Sequence, residues 1–416
     1  MTPPVVTLVG LAGPLVAIRP ADVDGDGVRE LVAATTAPEG PVDLSILRLR
    51  GSRVEQTHHR LPDRPGWWDA GHGLWLLDSA GLHELRTGQS PLGLAGAAAG
   101  AGPPAPADMV TDLDHDGTPE LLLPGDGVLH AWSVNGRAWG TVPLPEPATV
   151  AVADVNADGT DDLVLVTDDG IRVHVAAPGA LSTVALHWPL PEALAPPPPG
   201  HDTDAGETSA RWTDLDGDGL ADLLVHRLRD PDRPARAVSE VFYYRGRGTA
   251  GLAPPQRITS QAGARDLFAV DLDGDGDREV LQPRLRLDGG NLARAVLGRS
   301  VEVELVALPM EEGRLLDPVQ LRQVSLPVDG TRAAWSMFED LTGDGLPDLA
   351  MVIDGRLDIF AGRGMSVDRQ PCATASLGVQ ADNLWALDLS GDGAAELVAW
   401  ARGERALAIV EIPRPR

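Results

Sequence analysis

Seven short stretches of this chain place side-chain oxygens at the same four positions. Counted from the first acid, positions 1, 3, 5 and 9 are Asp22, Asp24, Asp26 and Glu30 in the first loop and Asp112, Asp114, Asp116 and Glu120 in the second. They are Asp154, Asn156, Asp158 and Asp162 in the third, Asp214, Asp216, Asp218 and Asp222 in the fourth, and Asp271, Asp273, Asp275 and Glu279 in the fifth. The sixth has Asp340, Thr342, Asp344 and Asp348, and the seventh Asp388, Ser390, Asp392 and Glu396. Position 6 is Gly in every copy, from Gly27 to Gly393, and positions 2 and 10 are always aliphatic. Oxygens on one side and apolar pegs on the other describe a loop folded around one hard cation. Ca²⁺ takes six to eight oxygen ligands, and Gly allows the sharp turn between them. The expected cofactor is Ca²⁺, up to seven ions. Mg²⁺ fits less well because it demands a tighter octahedron and keeps its waters. The third, sixth and seventh loops carry a neutral residue at position 3, so they are expected to bind more weakly.

An EF-hand shares the first half of this pattern but needs a bidentate Glu at position 12 and flanking helices. Position 12 here is Ala33, Leu123, Leu165, Val225, Gln282, Met351 and Ala399, and the flanks read as strands. The EF-hand is rejected.

The elements that must hold these loops are strands. Apolar runs of strand length, bounded by Gly, Pro and Asp, dominate, and helical periodicity is nearly absent. The first loop lies 90 residues before the second, while later loops are spaced 42, 60, 57, 69 and 48 apart. A unit of strand, loop and three further strands fits the shorter spacings. The long gap then holds one unit that has lost its loop, over 63–100. The expected fold is all-β, a β-propeller of eight four-stranded blades over 1–416 as a single domain. The blades are expected over 11–62, 63–100, 104–146, 147–190, 209–262, 264–330, 331–378 and 379–416 with 3–10, and 191–208 reads as an exposed Pro-rich insertion. Too little chain follows the seventh loop to finish its blade. The N-terminal strand Val5 to Val9 is expected to complete it and cover its edge.

The pattern Asp-x-Asp-x-Asp-Gly-x-x-[Asp/Glu]-Leu-Val between strands, with Gly-rich hairpins such as Phe360-Ala-Gly-Arg-Gly364, resembles FG-GAP/VCBS-type repeats, best known from the propeller of integrin α subunits. The resemblance covers nearly the whole chain and is weakest over 63–100. It implies a propeller with structural calcium. It says little about activity, since such repeats occur in adhesion heads, lectins and polysaccharide lyases.

The net charge is −27, and 25 of the 28 loop positions named above are acidic. Seven divalent ions, +14 in all, would bring the charge to −13. Such a surface disfavours nucleic acid and anionic membranes. All 34 basic residues are Arg. One cysteine, Cys372, rules out an intrachain disulfide framework. No stretch is long and apolar enough for a membrane span, and the N-terminus lacks a basic signal-peptide start. The ten His residues show no ligand spacing, and there is no nucleophile elbow or phosphate loop. Trp212, Trp335 and Trp385, just before loops, read as packing residues. Trp67 and Trp68, beside Asp69 and His72, are a candidate sugar-stacking pair, with a core role as the alternative. Tyr243 and Tyr244 leave the same two readings open.

The expected function is a non-enzymatic calcium-binding scaffold that engages a protein or glycan at a surface or outside the cell. A carbohydrate-active protein, lectin or lyase, and a subunit of a larger assembly are the alternatives. A secreted, periplasmic or surface location with a leader outside this chain is expected, and the cytoplasm stays open.

Overall fold

The computed structural model describes residues 3–36, 42–51, 53–61, 67–69, 74–78, 81–84, 110–125, 127–195, 207–230, 237–260, 262–263, 267–286, 300–327, 332–337 and 339–413. These residues form strands, turns and bends without a helix, so the all-β expectation holds. No helix among them is long and apolar enough to cross a membrane.

The repeating unit is an antiparallel sheet whose strands follow chain order, the construction of a propeller blade. Leu15–Ala21, Glu30–Thr36, Val42–Arg50 and Arg53–Arg60 form one such four-stranded sheet. Glu207–Thr213, Asp222–Arg229, Val238–Tyr244 and Gln256–Ser260 form another. Further four-stranded sheets begin at Val110–Thr111, Ala148–Ala153 and Ala333–Ser336. Residues 262–327 give a five-stranded variant, because its first strand is broken into Ala262–Gly263 and Phe268–Val270. Within 63–100, Trp67–Asp69, Trp75–Asp78 and Gly81–Glu84 form a three-stranded sheet.

The chain divides into two compact units. In the first (1–144, 332–361 and 368–416), Val5–Gly10 pairs antiparallel with Ala406–Glu411, from Val5 opposite Glu411 to Gly10 opposite Ala406. It thereby becomes the outer strand of the sheet that holds Asn383–Leu387 and Glu396–Trp400. Leu11 donates its N–H to Arg405 O at 2.8 Å, and Gly403 donates to Leu15 O at 2.8 Å. The last sheet packs on the first through Leu15, Ile18, Leu31, Val398, Leu407 and Ile409. The N-terminal strand therefore finishes the last sheet, as expected.

In the second unit (145–331 and 362–367), Leu224, Val241 and Tyr243 of one sheet pack against Val280 and Leu308 of the next. Trp188 and Trp212 lie 6.3 Å apart at their ring centres in the core beside Val155 and Val173. In the first unit Trp385 meets Trp400 edge-on at 5.6 Å. These contacts give Trp212 and Trp385 the packing role expected of them. Tyr243 and Tyr244 are both buried, so neither presents a face to a sugar.

The insertion expected over 191–208 is narrower than that range. Ala193 is fully buried, its N–H reaches Tyr244 Oη at 3.2 Å, and Arg227 Nη2 donates to Glu192 O at 3.1 Å. Small residues there cap a tyrosine. At the far end Glu207 and Thr208 already belong to the strand Glu207–Thr213. Asp202 and Asp204 fall outside the described residues.

Candidate metal centres

Each loop joins the first strand of its sheet to the second. Position 9 opens the second strand in six copies, with Ala21 opposite Glu30, Thr111 opposite Glu120, Ala153 opposite Asp162, Thr213 opposite Asp222, Val270 opposite Glu279 and Leu387 opposite Glu396. In the sixth, Asp348 stands one residue before Leu349–Ile353. The aliphatic pegs at positions 2 and 10 are buried in all seven copies. They anchor the loop and leave its oxygens on the other side.

The loop backbone follows from the aspartates. The position-1 carboxylate accepts the position-6 N–H every time, at 2.9 Å for Gly27 to Asp22, 2.8 Å for Gly117 to Asp112 and 2.9 Å for Gly219 to Asp214. Gly159, Gly276, Gly345 and Gly393 repeat the bond at 2.8–3.2 Å. The position-5 carboxylate likewise accepts the position-7 N–H in all seven copies. Position 6 has φ between 80° and 100°, which explains why it is always Gly. Position 4 is also left-handed, from φ 55° at His115 to 82° at Gly343. It is Gly in five copies, with His115 and Ala157 bearing the strain in the others. The sequence pattern pointed to position 6 and missed position 4.

Position 9 shows a division that spacing alone did not reveal. Its carboxylate accepts the position-2 N–H in six loops, including Val23 to Glu30 at 2.8 Å, Leu215 to Asp222 at 3.0 Å and Leu389 to Glu396 at 2.8 Å. In the sixth loop, Thr342 N–H takes that role with Asp348 at 2.6 Å. In three of the four loops whose position 9 is the longer Glu, the carboxylate reaches the other ligands. Oxygens of Asp22, Asp24 and Glu30, of Asp112, Asp114 and Glu120, and of Asp271, Asp273 and Glu279 each gather within 4.8 Å. In the fourth loop the gathered set is Asp214, Asp216 and Asp218, without Asp222. Asp222 Oδ1 is instead taken by Gly246 N–H at 2.7 Å, and Tyr243 Oη lies 3.3 Å from its Oδ2. Asp162 is bound in the same way by Ala176 N–H at 2.8 Å. A Gly or Ala hairpin after the third strand thus holds the shorter acid. The third, sixth and seventh loops, with Asn156, Thr342 and Ser390 at position 3, show no such gathering of three acids among the described residues.

The donor sets fit a hard cation. Asp114 Oδ1, Asp214 Oδ1 and Asp216 Oδ1 are buried and have no hydrogen-bond partner. The Asp216 side chain is only 2% exposed. A buried carboxylate oxygen without a donor is costly, and a divalent ion removes that cost. Asp277, at position 7 of the fifth loop, has a buried unpaired Oδ1 and adds an acid to that site.

Burial pushes these acids up. Glu120 and Glu279 rise to about 7, and Asp162 and Asp222 to about 6, with backbone N–H bonds pulling the other way and neighbouring loop acids adding to the rise. Glu30 and Glu396 also rise through burial. In metal-free protein these groups bind protons more tightly folded than unfolded. Stability should then fall as pH rises from about 5 to about 7.5. A melting series in chelator is expected to show Tm higher at pH 5.5 than at pH 8. With saturating calcium the order should reverse, because protons compete for the same oxygens.

Residues 214–281 match the family model of the FG-GAP-like repeat. The match begins at Asp214 and covers the fourth loop, the last three strands of its sheet and the fifth loop, the region with Asp216, Tyr243 and Asp222 in contact. No curated protein sequence matches the chain. Among solved structures, the chain is similar to BBS1N, solved in complex with ARL6DN, at 13% identity over 99% of this chain and 97% of that one, with a TM-score of 0.43. It is similar to a lectin of Agrocybe aegerita that recognises non-reducing terminal N-acetylglucosamine, at 14% identity over 96% and 86%, TM-score 0.48. A third is the V. cholerae biofilm matrix protein Bap1, at 13% identity over 98% and 88%, TM-score 0.31. The fold assignment rests on the strand pairing and the FG-GAP-like repeat.

Proposed function

We propose that this chain is a calcium-stabilised, non-enzymatic β-propeller of eight blades that serves as a binding scaffold at a surface or outside the cell. The observation that carries the metal reading is the buried, unpartnered oxygen pair of Asp214 and Asp216 in the fourth loop. A cation between these two neighbouring carboxylates would offset their repulsion and the cost of burying them. The ligands are the residues of positions 1, 3, 5 and 9, except Asp162 and Asp222, whose carboxylates hold hairpins, and with Asp277 added. When bound, Ca²⁺ supplies charge neutralisation and a fixed loop geometry. The chain's own residues bury the pegs, set the turns and hold the position-9 acids. Seven such loops suit a calcium-rich compartment. The scaffold reading follows from loops whose aspartates serve the backbone, which leaves recognition to the segments between sheets.

The test is elemental analysis after dialysis against micromolar calcium. Several calcium ions per chain are expected, and one fewer for Asp214→Ala. A chain that retains no calcium overturns the reading. Trp67 and Trp68 lie on the strand Trp67–Asp69, but their side chains fall outside the described residues. The lectin alternative is addressed by glycan-array binding of the Trp67→Ala and Trp68→Ala variants.

A further inference from the structure

We infer that one register position tunes the cation affinity of the first, fourth and seventh loops: the residue opposite the position-9 acid, on or next to the third strand. The inference rests on the calcium reading above. The register is uniform. One step from the Leu31–Leu47 pair, Glu30 faces Arg48, and one step from Leu223–Tyr244, Asp222 faces Arg245. By the same count from Leu397–Val410, Glu396 faces Glu411, and Glu120 faces Ser133 directly. The position therefore carries a positive charge in the first and fourth loops, a hydroxyl in the second and a negative charge in the seventh.

The side chains act as that charge pattern requires. Arg48 Nε donates to Glu30 Oε1 at 2.7 Å, and its Nη2 reaches Asp24. Arg245 Nε lies 2.6 Å from Asp216 Oδ2, and its Nη2 donates to Asp218 at 3.0 Å. Each arginine thus grips two ligand carboxylates of its own loop. Arg245 is also held from above. A Cβ on Gly313, at φ 72°, would stand 2.7 Å from Asp216 Oδ2 and 3.0 Å from Arg245 Cζ, so only Gly lets the next hairpin close over the pair. Among the described residues no arginine ion pair reaches the ligands of the second, third, fifth or seventh loop.

The seventh loop shows the opposite case. Glu411 Oε1 is buried without a partner, and Glu411 lines a cleft of about 270 Å³ with Asp392 and Glu396. Ser390 leaves this loop one carboxylate short at position 3, and Glu411 restores the missing negative charge from the last strand. The arginines make the first and fourth loops tolerant of cation loss and weaken their affinity. Glu411 strengthens the seventh loop and makes it dependent on its ion.

The test uses the full chain, titrated with calcium chloride against a chromophoric chelator, and melted in EDTA. Arg48→Gln and Arg245→Gln should each tighten one site by about tenfold or more, the scale of a close charge-pair coupling. Both should lower Tm in EDTA. Glu411→Gln should weaken one site by a similar factor and raise Tm in EDTA. Arg245→Lys, which keeps the charge, should stay near wild type, and Arg48→Gln carries the arginine arm of the test if Arg245→Gln does not fold. Arg356→Gln, at an exposed pair with Asp358, is the control. Unchanged isotherms, or shifts of the same sign for arginine and glutamate variants, overturn the inference while leaving the calcium reading intact. A wild-type chain that takes up no calcium overturns both.

Discussion

Removing calcium should lower the melting temperature by at least about 10 °C. Four loops gather three acidic oxygens within 4.8 Å. An ion held at a hundred times its dissociation constant adds about 2.7 kcal/mol to the folded state, so four contribute about 11 kcal/mol. For a chain of 416 residues each kcal/mol moves Tm by about 1 °C. Cooperativity between neighbouring loops adds to the effect. Ala221 N–H, beside Asp222, donates to Asp154 O at 2.9 Å, and Arg278 N–H donates to Leu215 O at 2.7 Å. The third, fourth and fifth loops are thus linked backbone to backbone, and loss of one ion loosens its neighbours. Calorimetry in EDTA and in 1 mM calcium measures the difference. Superimposable curves would sink the metal reading. Magnesium at the same concentration should restore only a small part of the loss.

The second large effect separates fasteners from ligands. Asp222→Ala should destabilise the chain by about 4 kcal/mol whether or not calcium is present. Asp222 is fully buried, and its carboxylate takes Leu215 N–H and Gly246 N–H with Tyr243 Oη beside them. Truncation leaves these donors unmatched, at about 1–3 kcal/mol each. Asp214→Ala should behave differently. Its Oδ2 serves the exposed Gly219 N–H, which water can satisfy, and its Oδ1 has no partner. Its cost should therefore appear mainly with calcium and nearly vanish in EDTA. Denaturant melts of both variants in both conditions give the comparison. Equal losses for the two in EDTA would show that Asp222 has no special structural role.

Much of the architecture was legible because it repeats. A carboxylate at positions 1 and 5 folds its own loop through bonds to backbone two to five residues away, so the short pattern carries the information. The continuous apolar runs beside it, of strand length and bounded by Gly, Pro and Asp, read as buried strands. Even the pairing of Val5–Gly10 with Ala406–Glu411 followed from counting strands, since an unfinished sheet has an edge that must be covered. The strands Trp67–Asp69, Trp75–Asp78 and Gly81–Glu84 lie in the gap where the spacing predicts a further unit.

Other features could not be read locally. The left-handed turn at position 4 was masked by His115 and Ala157, which adopt it despite their side chains. The insertion after Pro189 looked exposed because its residues are Pro, Ala and Gly, yet Ala193 caps Tyr244 from 51 residues away.

The sequence by itself determined that there are seven oxygen-rich loops, that strands carry them, and that each loop turns on a glycine. Those properties arise between residues a few positions apart, where chain geometry leaves little choice. Only the tertiary structure decided what each position-9 acid does. Glu30, Glu120 and Glu279 close their cation clusters, while Asp162 and Asp222 turn to hold a hairpin. It also brought Arg48, Arg245 and Glu411 to the loops from 15 to 23 residues further along the chain. The physical reason is register: which side chain faces a given carboxylate depends on how strands pair, and a slip of one residue would send each of these charges to the other face of its sheet.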